Sequence, residues 1–485
     1  MILVIDVGTT GLRAALVADD TSLVHVEYRP FAPDTPFPGL VEFDAAAMAS
    51  TVLDAARTAI TAITASDEPI TAVGIANQRA STIVWDRATG EPVGPGLGWQ
   101  DLRTIGECLA ARAEHDIALA PNQSATKIGW LLANAAPGRD PADLCFGTVD
   151  SWVVWTLTGG ASHVTDHTNA AVTGLYSFEV LGFDPALCAA LGVDPAMLPT
   201  VVDSIGHSGD ATALPGSPPI MALVGDQQGS MIGQGCIEPG RAKITFGTGG
   251  MLDICTGDAL PTSGRRSENG TFPIIAWSHD GAKVWGVEAI MLSAGTNVEW
   301  LVDDMGMIDS PAHSHEVAAE CETTDGVVYV PALLGIGTPD WDYGARGTLL
   351  GLTRGSGRPH VVRAVLEGVA HRGADMVAAA EAETGLSIPT LRVDGGMSQN
   401  PTFIQALANA TGKPVEVSPV VESTTLGAAF LAGAGAGVWA GLDETASAFR
   451  PADRVEPSAQ LDRETWAEAR RRAASWIPEL SALDF

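Results

Sequence analysis

The sequence predicts an α/β protein built as two related halves, and three observations carry that prediction. Short apolar runs alternate with Ala-rich stretches of helical spacing along the chain. One unit, a strand, a Gly/Thr turn and a second strand, opens the chain and recurs about half a chain later. The length of 485 residues also exceeds the roughly 250–300 residues that a single core organises, so two domains are expected.

The elements follow in order. Ile2 to Ile5 is a buried strand closed by Asp6, Gly8-Thr-Thr-Gly11 is a turn, and Leu12 to Val17 is the returning strand. Ala45 to Ala65 has the apolar spacing of a helix. Ile220 to Val224 is a strand that runs into Gly225-Asp226. Arg241 to Phe246, Gly247-Thr-Gly-Gly250 and Met251 to Cys255 repeat the opening unit. That repeat places the domain boundary near Pro239-Gly240, giving units of residues 1–239 and 240–485. Val327 to Val330 stops at Pro331, and Leu391 to Val393 stops at Asp394-Gly-Gly396. Between them, Pro359 to Thr384 puts Val361, Val365, Val369 and Ala370 on one helical face. The uncharged run Ser423 to Leu442 has membrane length, but its Ala, Gly, Ser and Thr content reads better as a helix packed closely on a sheet. Glu464 to Ile477 reads as a terminal helix.

Composition narrows the function. The 58 acidic and 27 basic side chains give a net charge of −31, which repels phosphate backbones and anionic lipid. Nucleic-acid and membrane partners are therefore not expected. The 46% hydrophobic content excludes a disordered chain. The lysines are Lys127, Lys243, Lys283 and Lys413. Six scattered cysteines without a C-x-x-C pair argue against a disulfide framework and a cysteine zinc site. His163 and His167 read as a solvent-exposed loop pair rather than metal ligands. Asp6 interrupts the N-terminal apolar stretch and no basic region precedes it, so a signal peptide is not expected and the protein is expected in the cytoplasm.

In α/β sheets, ligands gather at the carboxyl ends of strands. Asp6, Asp226, Gly247 and Asp394-Gly-Gly396 all stand at such ends, spread over both halves. Glycine lets backbone approach a phosphate, and N–H groups and Thr hydroxyls donate to its oxygens. An acid beside them suits Mg²⁺. A Walker lysine motif is absent, and no G-x-G-x-x-G follows the first strand. A single Gly/Thr tip is more often only a hairpin; two at matching places in two halves read as phosphate sites.

The chain resembles the FGGY family of carbohydrate kinases, closest to its glycerol kinase branch. Matching segments are Asp6-Val-Gly-Thr-Thr10 with Arg13, Asn77-Gln-Arg79, Trp99-Gln-Asp101, Asp150-Ser-Trp152, Thr165-Asp166, Thr168-Asn169, Gly225-Asp-Gln-Gln228 and Phe246-Gly-Thr-Gly249. Ala294-Gly295, Ala345-Arg-Gly347, Asp394-Gly-Gly396 and Leu426-Gly-Ala-Ala429 continue the series. The stretch Gly347 to Leu352 with Ala364-Val-Leu-Glu367 resembles the family's second signature; the first, around Lys127 and Trp130, departs at Asn122 and Ala133. The resemblance implies two duplicated actin-like (ribonuclease H-like) ATPase domains with a catalytic cleft between them. It implies ATP and Mg²⁺ as cofactors, a small polyol or sugar as substrate, and a homodimer or homotetramer.

Carried over residue by residue, the resemblance makes Asp226 the general base on the attacking hydroxyl and Asp6 the Mg²⁺ organiser. Thr9, Thr10, Gly11 and Arg13 meet the phosphates. Thr248, Gly295, Glu299, Gly396 and Asn400 line the nucleotide site, with Glu299 where glycerol kinases commonly have Gln. The substrate lies against Arg79, Ala80, Trp99, Asn122, Asp226, Gln227 and Met251. The departures fall here. Ala80 stands where glycerol kinases carry Glu, Asn122 where they place Tyr, Met251 where they have Phe, and Ala171-Val172 where they have Ser-Arg. Losing a carboxylate acceptor removes one grip on a hydroxyl, and smaller side chains enlarge the pocket. Two acceptors stay open: one larger than glycerol, of four or five carbons, or glycerol itself in a compensated pocket. The rival classes are a non-catalytic sugar or nucleotide sensor on the same fold and an actin-like ATPase, which would lack the Gly-Asp-Gln-Gln and Asn-Gln-Arg segments.

Overall fold

The structure is a computed structural model that describes residues 1–62, 69–260, 265–420 and 422–483. Its frame is a 13-stranded sheet among those residues. The first half supplies β1 (Ile2–Val7), β2 (Gly11–Val17), β3 (Leu23–Pro30), β4 (Ala72–Asn77), β5 (Ile205–Asp210) and β6 (Pro219–Gly225). The second supplies β7 (Ala242–Phe246), β8 (Gly250–Gly257), β9 (Phe272–His279), β10 (Ala282–Met291), β11 (Leu391–Asp394), β12 (Val415–Val417) and β13 (Asp453–Val455).

The halves repeat one topology. β1 pairs antiparallel with β2 and β2 with β3, while β1, β4 and β6 run parallel. In the same way β7 pairs antiparallel with β8 and β8 with β10, while β7, β11 and β12 run parallel. β1, β4 and β6 are near-continuous apolar runs because helices cover both faces, whereas β7, β11 and β12 also carry Lys243, Arg392 and Glu416. The half-sheets join through β5 and β9, whose ladder holds the one pair Ile205 and His279. Beside it, Ser204 and Ser278 exchange backbone-to-hydroxyl hydrogen bonds of 3.0 and 3.2 Å.

Helices complete the layers. α1 (Ala45–Ala62) packs on β2 and β3; the last residues of the predicted 45–65 helix lie outside the described residues. α2 (Asp226–Gly233) starts directly from β6, and α3 (Thr296–Asp303) follows β10. α4 (Arg358–Thr384) buries Val362, Val365, Leu366 and Val369 in the second half's core, beside α5 (Pro401–Thr411).

α6 (Ser423–Gly435) belongs to the second half by sequence yet packs on β1, β4 and β6 of the first and crosses α2. Glycine makes the crossing possible. A Cβ on Gly233 would lie 1.9 Å from the Ser423 carbonyl oxygen, and one on Gly427 1.9 Å from that of Gly229. The 423–442 run is therefore a helix on a sheet, as expected, but shorter: Gly437, at φ +73°, turns the chain after it. Among the described residues no helix is long and apolar enough to cross a membrane.

Two further expectations are corrected. α7 (Arg463–Ala473) ends short of the predicted Ile477, because Ser475 takes a left-handed φ of +52° and Asp342 captures its N–H at 2.7 Å. His163 and His167 are not a solvent-exposed pair. His163 Nε2 meets the Phe146 carbonyl at 2.8 Å, and His167 Nδ1 meets Tyr176 Oη at 2.7 Å. Burial pushes both rings down to about 4, so both are neutral at pH 7.

Candidate active site

The first Gly/Thr tip joins β1 to β2. The Gly8 N–H donates to the Gly11 carbonyl at 2.9 Å, closing the turn. Thr10 is exposed at its mouth, and Thr9 Oγ1 accepts from Trp99 Nε1 at 3.1 Å. Asp6 is buried near the end of β1, directly across the ladder from Arg13. Its Oδ2 accepts from Thr425 Oγ1 of α6 at 3.0 Å and lies 3.8 Å from Arg13 Nη1. Burial raises its carboxyl to about 6 against the pull of Arg13. Arg13 also reaches Glu422 at 2.9 Å and stacks its guanidinium over Tyr28.

The second tip joins β7 to β8 and is braced from two sides. The Ala294 N–H donates to the Thr248 carbonyl and the Gly295 N–H to the Gly247 carbonyl, both at 2.8 Å. A Cβ on Gly295 would come within 2.6 Å of the latter oxygen. Gly395 (φ +86°) backs onto Phe246, and Gly396 opens onto free space. Thr248 is exposed, as is Glu299 in the first turn of α3. Asn400 is differently employed. It caps α5 by accepting from the Phe403 N–H at 3.1 Å and donates to Ser314 at 2.8 Å.

Between the halves lies a knot of charge. Asp226, first residue of α2, has its side chain 31% exposed, so a ligand can reach it. Its backbone carbonyl accepts from Thr424 Oγ1 at 3.1 Å, and its Oδ1 lies 3.5 Å from Arg79 Nε. Burial raises its carboxyl, while Arg79 and Lys243 pull it down. Arg79 Nη2 donates to Glu288 Oε2 at 2.6 Å, and its Nη1 has no partner. Burial works against the Arg79 charge, but Glu288, Asp226 and Asp253 together hold its pKa above the ordinary value. The fully buried Lys243 lies 2.7 Å from Asp253 and donates to Gln227 at 2.7 Å and Thr245 at 2.9 Å. Lys243, Asp253 and Glu288 sit side by side on β7, β8 and β10.

The neighbouring wall is built from the first half. Ala80 is buried at φ +63°, a backbone conformation that costs a non-glycine residue about 1–2 kcal/mol. Its carbonyl accepts from Ser124 Oγ at 2.9 Å. Lys127 Nζ donates to the carbonyls of Gly98 (2.8 Å) and Trp99 (3.3 Å) and tethers the Trp99 loop. Asn122 lies in an exposed turn, and what it offers Lys127 is its backbone oxygen, at 3.4 Å; its side chain is not drawn into the charged knot. Met251 is half-buried on β8, one alternation along from Asp253. Behind the wall, Asn169 exchanges hydrogen bonds with Asn77, two residues before Arg79, and Thr168 Oγ1 accepts from the Gly225 N–H at 2.8 Å. Asp166 accepts from both Thr168 and Asn169, so one buried carboxyl braces the strand ends that carry Arg79 and Asp226.

The structure thus gathers Asp6, Thr9, Thr10, Gly11, Arg13 and Trp99 around the first tip, Thr248 and Gly295 around the second with Gly396 close behind, and Arg79 with Asp226 and Gln227 between them. Sequence reasoning missed Lys243, Asp253 and Glu288, and the α6 residues Thr424 and Thr425. A usable signal existed for the first two: Lys243 and Asp253 are each the single charge in their strands, β7 and β8.

Gly/Thr tips on either side of an ionisable cluster can hold the phosphates of a nucleotide beside a proton acceptor, the arrangement that phosphoryl transfer needs. Residues 1–233 match the N-terminal domain, and residues 242–436 the C-terminal domain, of the FGGY family of carbohydrate kinases. The chain belongs to that family. It is 39% identical over 500 residues to the glycerol kinase of Carboxydothermus hydrogenoformans, covering 99% of each chain. To the glycerol kinase of Aromatoleum aromaticum it is 40% identical over 495 residues, covering 98% of this chain and 99% of that one. Among solved structures, Plasmodium falciparum glycerol kinase with ADP is similar at a TM-score of 0.90 and 28% identity, covering 100% and 99% of the two chains.

Proposed function

We propose that this carbohydrate kinase uses ATP and Mg²⁺ to phosphorylate a primary hydroxyl of a small polyol or sugar, with Asp226 as general base. The observation that carries the reading is the reachable Asp226 carboxylate, held between Arg79 and the Lys243-Gln227 pair with no short ion pair of its own. Asp226 would take the hydroxyl proton while Arg79 orients the acceptor. Bound ATP with its cation supplies the phosphoryl group and neutralises its charge.

The residues present fit that nucleotide. Gly396 opens onto free space beside the second tip, and Thr10 and Thr248 present open hydroxyls. Among the described residues no cluster of three His, Cys, Asp or Glu could cage a metal. A cation at Asp6 would therefore be held mainly by phosphate oxygens and water, as Mg²⁺ commonly is. The nucleotide role of Asn400 is supported least, since its side chain is spent on capping. We take the chain to divide near Pro239-Gly240.

For the acceptor, the buried Ala80 without a carboxylate and the outward Asn122 support a pocket enlarged over that of glycerol kinases. The names of the relatives favour glycerol as the second reading. ADP release with glycerol, erythritol, five-carbon polyols, ketopentoses and dihydroxyacetone decides. A larger acceptor with the highest kcat/KM supports the enlarged pocket, and glycerol far ahead sinks it. With the best acceptor, Asp226→Asn should lower kcat by about 10²–10⁴ with ATP KM nearly unchanged; retention of most turnover would refute the base.

A further inference from the structure

We infer that Glu288 is a positioning residue for the acceptor: across the two halves of the chain, it holds Arg79 so that Nε stays beside Asp226 and Nη1 stays free to donate to an acceptor hydroxyl. The inference rests on the reading that the acceptor lies against Arg79.

The charges in the knot do not balance. Arg79 and Lys243 face Asp226, Asp253 and Glu288, two cations to three carboxylates. Lys243 is committed to Asp253 at 2.7 Å. Arg79 is committed to Glu288 at 2.6 Å, and only loosely to Asp226 at 3.5 Å. The carboxylate left without a close cation is thus Asp226, the one that must accept a proton. A guanidinium released from Glu288 would close on Asp226 in a short pair, since an opposite charge in a buried setting attracts strongly. That pair would stabilise the base in its ionised form and occupy the donors meant for the acceptor.

Local structure supports the assignment. The Arg79 stem passes Gly225, where a Cβ would lie 2.7 Å from Arg79 Cδ, so the side chain reaches β10 only because position 225 is glycine. Nη1 is buried with no partner in a site where Nη2 is satisfied. An unmet buried donor is costly, and a bound hydroxyl would meet it. Glu288 lies on β10 in the second half and Arg79 just beyond β4 in the first, so the grip on the acceptor also reports that the halves are together.

The test is a double-mutant cycle on the full chain with its best acceptor. Glu288→Leu should lower kcat/KM for the acceptor at least about tenfold while ATP KM stays within about twofold. Glu288→Gln keeps an oxygen for Nη2 and should stay within about threefold of the parent. Arg79→Met should lower acceptor kcat/KM further, and adding Glu288→Leu to it should cost little more, because the bond is already gone. The inference is overturned if Glu288→Leu spares the acceptor, if it changes ATP KM and melting temperature as much as acceptor kcat/KM, or if the two losses simply add. If Arg79→Met itself leaves acceptor kinetics intact, the placement of the acceptor falls. If Arg79→Met is damaging and Glu288→Leu is not, only the role of Glu288 falls.

Discussion

Asp150 shows how far burial governs single residues in this chain. It is wholly buried and accepts from the hydroxyls of Thr148 and Thr165. Burial first, and then the neighbouring Asp166, raise its carboxyl to about 7. A carboxyl raised in the folded state binds its proton more tightly there than in the unfolded chain. Its stabilising contribution is therefore complete below about pH 4 and is lost as pH rises through about 7. Asp150→Asn, which has no charge to bury, should gain melting temperature relative to the parent between pH 5 and pH 8; a constant difference across that range would contradict the assignment. At this scale the sequence was legible where chemistry is local and misleading where it is not. Asp6 and Asp226 stand out in the sequence by their strand-end contexts, whereas Arg13 enters only through the family resemblance. His163 and His167 were misjudged because their burial comes from Phe146 and Tyr176, contacts that no local pattern announces.

Among the elements, the α2–α6 crossing carries the greatest constraint. Alanine in a helix ordinarily gains up to about 1 kcal/mol over glycine. At Gly427 that gain is overwhelmed, because the new methyl would meet the Gly229 carbonyl 1.9 Å away. Gly427→Ala should destabilise by about 3 kcal/mol, near the top of the overpacking range, and thermal melting measures it; a stabilised variant would mean that the helices do not cross so closely. The two Gly/Thr hairpins and the strands Ile220–Val224 and Leu391–Val393 were readable because each is a short apolar run ended by Gly or Asp. The row of Lys243, Asp253 and Glu288 was not. Its members are ten and thirty-five positions apart, and only the strand register brings them side by side.

For the molecule as a whole, the net charge of −31 opposes the approach of ATP, itself an anion. The screening length falls from about 30 Å at 0.01 M salt to about 10 Å at 0.1 M. ATP KM should therefore decrease as KCl rises over that range, with kcat little changed; an increase in KM would show that the local field at the Arg13 side outweighs the global charge. The duplicated plan was visible in the sequence from its repeated hairpin. What joins the halves was not, since the single-pair seam of β5 with β9 and the exchange of α6 onto the first half depend on long-range packing.

That exchange has a mechanical consequence. Asp226 begins α2, and Thr424 and Thr425, which hold the Asp226 carbonyl and the Asp6 carboxylate, begin α6, close to the point where the two helices touch. If the halves swing about this contact as about a fulcrum, displacement grows with distance from it. The carboxylates then sit where leverage is least and keep their spacing while the outer strands β3 and β13 sweep the widest arcs. The mouth can gape for loading without the reacting groups losing alignment.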